Sequence, residues 1–112
     1  MTILELYYKT LDEEALRQKE AAEDAKRNGN ERAHSICLMK ASMLGDMLKV
    51  LGRVEHEGKR PKALETIIES FSEEADRLRK LGDYDGSDRA EQKAITVQFA
   101  LDALREAERH GA

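Results

Sequence analysis

The chain has 112 residues and a formal net charge of −4, enough for one modest hydrophobic core and too little for two. Hydrophobic residues are 40% of it and charged residues 38%, with one proline and no tryptophan, the composition of helical bundles. The acidic balance, with a pI near 5.4, excludes the basic face that a nucleic-acid partner requires.

Thr2-Ile3-Leu4-Glu5 has the form of a capping box that opens a helix. Leu4, Tyr8, Leu11, Ala15, Ala22 and Ala25 then keep helical spacing to about Arg27, and a second box at Thr10–Glu13 predicts a later start or a kink. Asn28-Gly29-Asn30 tolerates left-handed backbone and stops the helix. Residues Glu31–Glu57 are a long proline-free stretch, apolar over more than one narrow stripe. Ala33, Cys37, Ala41, Leu44, Leu48 and Leu51 share one face, and Ile36, Met43, Met47, Val50 and Val54 lie beside it. Two such rows predict that this is the inner helix, touching at least two others.

Gly58-Lys59-Arg60-Pro61 ends that helix and starts the next, because proline suits a first turn. The third stripe is Leu64, Ile67, Ile68, Phe71, Ala75, Leu78 and Leu81. A loop at Gly82–Ser87 follows, with Ser87 or Asp85 as the expected cap, and the fourth helix runs through Ala90, Ala94, Val97, Leu101 and Leu104. Short connections make neighbours antiparallel. The expected fold is therefore all-α: four helices as two tandem antiparallel αα-hairpins, 2–57 and 61–110, in one helical domain and bundle.

Shifting the sequence by 53 positions, from Gly29 to Gly82, pairs Asn30 with Asp83, Ala22 with Ala75 and Lys40-Ala41 with Lys93-Ala94. It also pairs Leu48 with Leu101 and Gly58 with Gly111, so the two hairpins read as a duplication. Leu81-Gly82-Asp83-Tyr84, followed by Ala90 and Ala94, resembles the turn of a tetratricopeptide repeat. Ala21-Ala22, Ala25-Lys26-Arg27 and Gly29-Asn30 resemble the helical-hairpin repeats of the Lethal giant discs proteins. The likeness covers a hairpin turn and its flanks. It implies hairpin architecture and protein–protein interaction.

Chemistry is sparse. Glu31-Arg-Ala-His34 has the Glu-x-x-His spacing of di-iron bundles, but a second copy is missing, and no metal is expected. Asp83–Asp88 lacks the glycine and glutamate positions of a calcium loop, and His56-Glu57 lacks the second histidine of a zinc helix. Cys37 lies three residues from His34 but on the main apolar stripe, where a buried small side chain is the simpler reading. The chain therefore reads as non-enzymatic, with no catalytic residue and no cofactor.

Three features remain. Lys40 and Lys93 project within the apolar arcs of their helices, where each snorkels, pairs with a carboxylate, or receives an anionic ligand inside the bundle. Met39 lies at the edge of the methionine row and is expected to belong to an interaction surface with Ile95 and Phe99. Ile95 and Phe99 point roughly away from the Ala90–Leu101 stripe, as a homodimer seam or partner groove would, unless the bundle rotates to bury them. The expected partner is a protein or a second copy of the chain. A lone cysteine indicates a reducing compartment, with no membrane-length apolar run and no basic, apolar leader at the start. These features predict a cytoplasmic location.

Overall fold

Four α-helices account for the fold in a computed structural model that describes residues 2–54 and 57–110. They are α1 (Ile3–Arg27), α2 (Glu31–Gly52), α3 (Arg60–Lys80) and α4 (Tyr84–His110), with a 3₁₀ turn at Glu57–Lys59 before α3. His56, Gly111 and the side chain of Leu48 lie outside the described residues, so the zinc-helix reading and those pairings go no further. The protein is all-α, two tandem antiparallel hairpins packed into a bundle: α1 against α2, α3 against α4. Among the described residues no helix is long and apolar enough to cross a membrane.

Local chemistry sets the boundaries. Thr2 accepts a hydrogen bond from the Glu5 amide at 3.1 Å, which satisfies one free donor at the start of α1. Thr10 starts nothing: its hydroxyl donates to the Leu6 carbonyl at 3.0 Å, and α1 continues unbroken. Asn30 caps α2 through the Ala33 amide. The expected extension of α2 to Glu57 ends instead at Gly52, where the Arg53 and Val54 amides turn back to Val50 and Leu51. Pro61 sits in the first turn of α3, as its missing N–H allows.

The inner helix is α4, not α2. It packs against α1, α2 and α3, whereas α2 packs chiefly on α1 and α4. Of the expected stripe Ala90, Ala94, Val97, Leu101 and Leu104, all but the half-buried Ala94 are buried, and a second buried row follows at Thr96, Ala100, Ala103 and Ala107. Those small side chains let the α4 backbone approach other helices closely. On α2 the second row is bulkier, and of it only Met47 is buried, while Ile36, Met43, Val50 and Val54 are half-buried. The core gathers Tyr7, Leu11, Leu44, Met47, Leu51, Leu64, Val97 and Leu104, with Ile67, Ile68 and Phe71 against its edge.

On α1 Leu11 and Ala22 are buried as expected, but near the helix start the covered tyrosine is Tyr7 and not Tyr8. Tyr7 is wholly buried, whereas Tyr8 and Leu4 are half-buried. Among the described residues the Tyr7 hydroxyl has no hydrogen-bond partner, and burial, with the neighbouring Tyr8, pushes its ionisation up well beyond the usual phenol range.

The bundle is flat, with principal extents of 43 × 34 × 20 Å and a radius of gyration of 15.1 Å. A compact chain of this length has about 13 Å. The accessible surface is 7063 Å², against about 6200 Å² for a monomer of this mass.

Candidate functional site: the α1/α4 groove and the hairpin turns

The antiparallel pairing of α1 with α4 brings Leu6 and Thr10 beside Phe99, Ala103 and Ala107, lining a groove of 470 Å³. Phe99 also borders a smaller cavity of 150 Å³ where Glu14, Gln18, Lys40 and Leu44 meet Ile95 and Thr96. Phe99 thus borders both depressions, which together mark a trough along α1 and α4. Ile95 stands at its edge with 56% of its surface exposed. Phe99 is half-buried and packs on the core, so α4 is rotated far enough to cover the ring in part but not the isoleucine. Met39 is half-buried on α2 and lines neither depression.

Acids and bases close the trough's end. Glu106 accepts from His110 at 2.7 Å and from Arg109, and these bonds hold its carboxyl below the usual range. Asp102 accepts from Gln98 at 3.0 Å. Leu6 and Ala103 carry no sequence signal of a site, and Thr10 reads only as a cap. On α1 the sole pattern is a four-residue ladder, Leu6-Thr10-Glu14-Gln18, in which one member is apolar.

The two lysines have separate surroundings. Lys93 Nζ lies 5.7 Å from the centre of the Phe71 ring on α3, a cation–π contact. Lys40 borders the cavity beside Ile95 and Phe99. His34 turns its ring to the Ala22 carbonyl, and Cys37 is half-buried on α2. Among the described residues no three His, Cys, Asp or Glu side chains are placed to hold a metal ion.

The turns of the two hairpins use the same hydrogen bonds at positions 53 apart. The Asn30 amide donates to the Ala25 carbonyl at 2.8 Å, and the Asp83 amide to that of Leu78 at 2.9 Å. Between them Gly29 and Gly82 have φ of +74° and +83°, the left-handed backbone that closes a helix. Asn30 caps the Ala33 amide, and Asp83 caps that of Gly86, so Asp83 takes the role expected of Ser87 or Asp85. Ser87 is buried and donates its hydroxyl to the Ala75 carbonyl at 2.8 Å. At the corresponding place His34 Nδ1 lies 2.8 Å from the Ala22 carbonyl. A carbonyl only accepts, so Nδ1 carries the proton.

Asp85 spans the two hairpins, 3.1 Å from Arg32 and 3.1 Å from Arg89, which in turn donates to Ser35. These contacts set the N-termini of α2 and α4 side by side. Comparison with family models, with curated proteins and with solved structures finds no match for this chain.

Proposed function

We propose that the protein is a non-enzymatic self-association module whose contact surface is the α1/α4 trough around Ile95 and Phe99, and whose partner is a second copy of the chain. The observation that carries this is an exposed isoleucine beside a half-buried phenylalanine on an apolar trough of a flattened bundle. The accessible surface exceeds that of a typical monomer by roughly 850 Å². That is close to the roughly 800 Å² each partner contributes to a standard interface. A two-fold pair would set trough on trough, so that each Ile95 meets apolar surface of its partner. The matched turn bonds support descent of the hairpins from one ancestral hairpin. The likeness of these turns to tetratricopeptide and Lethal giant discs repeats supports an interaction role.

Light scattering across a range of concentrations tests the proposal. The expected result is a mass twice that of the chain, falling to the single-chain mass in Ile95→Glu with helicity unchanged. Phe99→Glu should act likewise, at some cost in stability because the ring also packs on the core. A strict monomer at every concentration overturns self-association, and trough-dependent binding of another protein's helix would then name the alternative occupant.

A further inference from the structure

The first hairpin has a further cleft, lined by residues of α1 and α2 alone. It measures 580 Å³ and lies between α1 and α2 near their turn. Ala22, 1% exposed, is its floor, and Leu38, 46% exposed, is its apolar wall. Lys19, Lys26, Arg27 and His34 stand around it with a single acid, Glu23. Arg27 is drawn to Asp24 at 2.6 Å, outside the cleft. Lys19 and Lys26 have no carboxylate within ion-pair distance among the described residues.

The corresponding place in the second hairpin is built differently. Ala75, which corresponds to Ala22, is likewise buried, but Arg79, which corresponds to Lys26, forms an ion pair across the helices with Glu91, which corresponds to Leu38. Ser87 replaces His34 and is buried, at 2% exposed. The second hairpin thus closes this seam with its own carboxylate. The first removes that carboxylate, puts a leucine there, and keeps the cations. Since Nδ1 of His34 is committed to the Ala22 carbonyl, Nε2 is the nitrogen left for a ligand.

We infer that this cleft binds a small organic anion with an apolar body. Its charged head takes the place that Glu91 fills in the second hairpin, against Lys19 and Lys26, and its apolar part lies on Leu38 and Ala22. The volume falls within the range of small-molecule sites, about 300–1,000 Å³. An anion held by two lysines at a water-exposed rim is screened by salt, so affinity falls as ionic strength rises. The site is separate from the α1/α4 trough and does not depend on self-association.

Octanoate titrated into the isotope-labelled protein, followed by NMR, tests this. The expected result is saturable shifts confined to Ala22, His34, Leu38 and their neighbours. Octanol, with the apolar body alone, and inorganic phosphate, with charge alone, should each bind roughly tenfold more weakly or less. Leu38→Glu gives Lys26 the carboxylate that Arg79 has, and should abolish the shifts while leaving the melting temperature unchanged or higher. Lys19→Ala with Lys26→Ala should weaken octanoate by roughly tenfold or more. Octanol binding as tightly as octanoate, unsaturable or scattered shifts, or full binding by the lysine variant would each overturn the inference.

Discussion

The hairpin turns are alike in backbone and unlike in what surrounds them. Both close on a left-handed glycine, both begin the second helix under an Asn or Asp cap, and both hang a side chain from the corresponding alanine carbonyl. In the second hairpin that side chain is a buried serine under an inter-helix ion pair. In the first it is a half-buried histidine beside an open, cation-rimmed cleft. The hydrogen-bonded frame is what two antiparallel helices need in order to meet. The side chains over it are free to differ, and that is where the hairpins part.

Exchanging the two carbonyl-bound side chains strains the comparison most. Ser87→His forces an imidazole into a site with no room and should cost about 1–3 kcal/mol by overpacking. The reverse change, His34→Ser, supplies a hydroxyl that reaches the same type of carbonyl, and should stay within about 0.5 kcal/mol. Urea denaturation measures both, and equal costs would show that the two sites are not differently enclosed.

The glycines test the opposite claim, that the frames are the same. Nothing lies within 4 Å of a Cβ added at Gly29 or Gly82, so each Gly→Ala change should cost only the left-handed backbone penalty, about 1–2 kcal/mol. Their costs should agree closely, and a large difference would break the equivalence of the turns.

The smallest effect is expected at the ion pair. Glu91→Leu gives the second hairpin the residue that the first has at Leu38. Arg79 and Glu91 are about half exposed, so the loss should be below about 1 kcal/mol and should shrink further in high salt. A larger loss would mean that the pair, rather than the helix packing beneath it, holds the seam closed.

Much of this architecture is legible without coordinates. Apolar spacing marks four helices, Gly29, Gly82 and Pro61 mark their ends, and short turns force antiparallel pairs. The choice of inner helix is not legible in that way. The methionines and leucines of α2 are the conspicuous bulk, whereas a second buried row is made of the small residues Thr96, Ala100, Ala103 and Ala107 of α4. Alanine is equally at home inside a bundle and on its surface, so spacing alone does not say which alanines are covered. Tyr7 and Tyr8 pose the same problem: adjacent aromatics offer two faces, and only the neighbouring helices choose between them.

At the candidate sites, Ile95 is legible because a bare β-branched residue is conspicuous on a polar arc. Its companions on α1 are not, since Thr10, Glu14 and Gln18 look like ordinary surface. The cleft at Leu38 is invisible to a one-helix reading. Its meaning comes from the pairing of Arg79 with Glu91 across two helices in the other hairpin.

The position of α4 has a consequence for how the chain is made. Of the four helices it is the last to be synthesised, yet it is the one on which the other three converge. Until it emerges, α1 and α2 can form their own hairpin, but Leu44, Met47 and the half-buried Met43 beside them lack their principal cover. The contacts that finish the core join segments far apart in sequence, Tyr7 and Leu11 with Val97 and Leu104. Such contacts add to the loop-closure entropy that slows folding. The nascent protein therefore passes through a stage in which a helical hairpin is present and a sealed interior is not. The methionine-lined face open at that stage is the one that folding factors or premature self-contact would meet first.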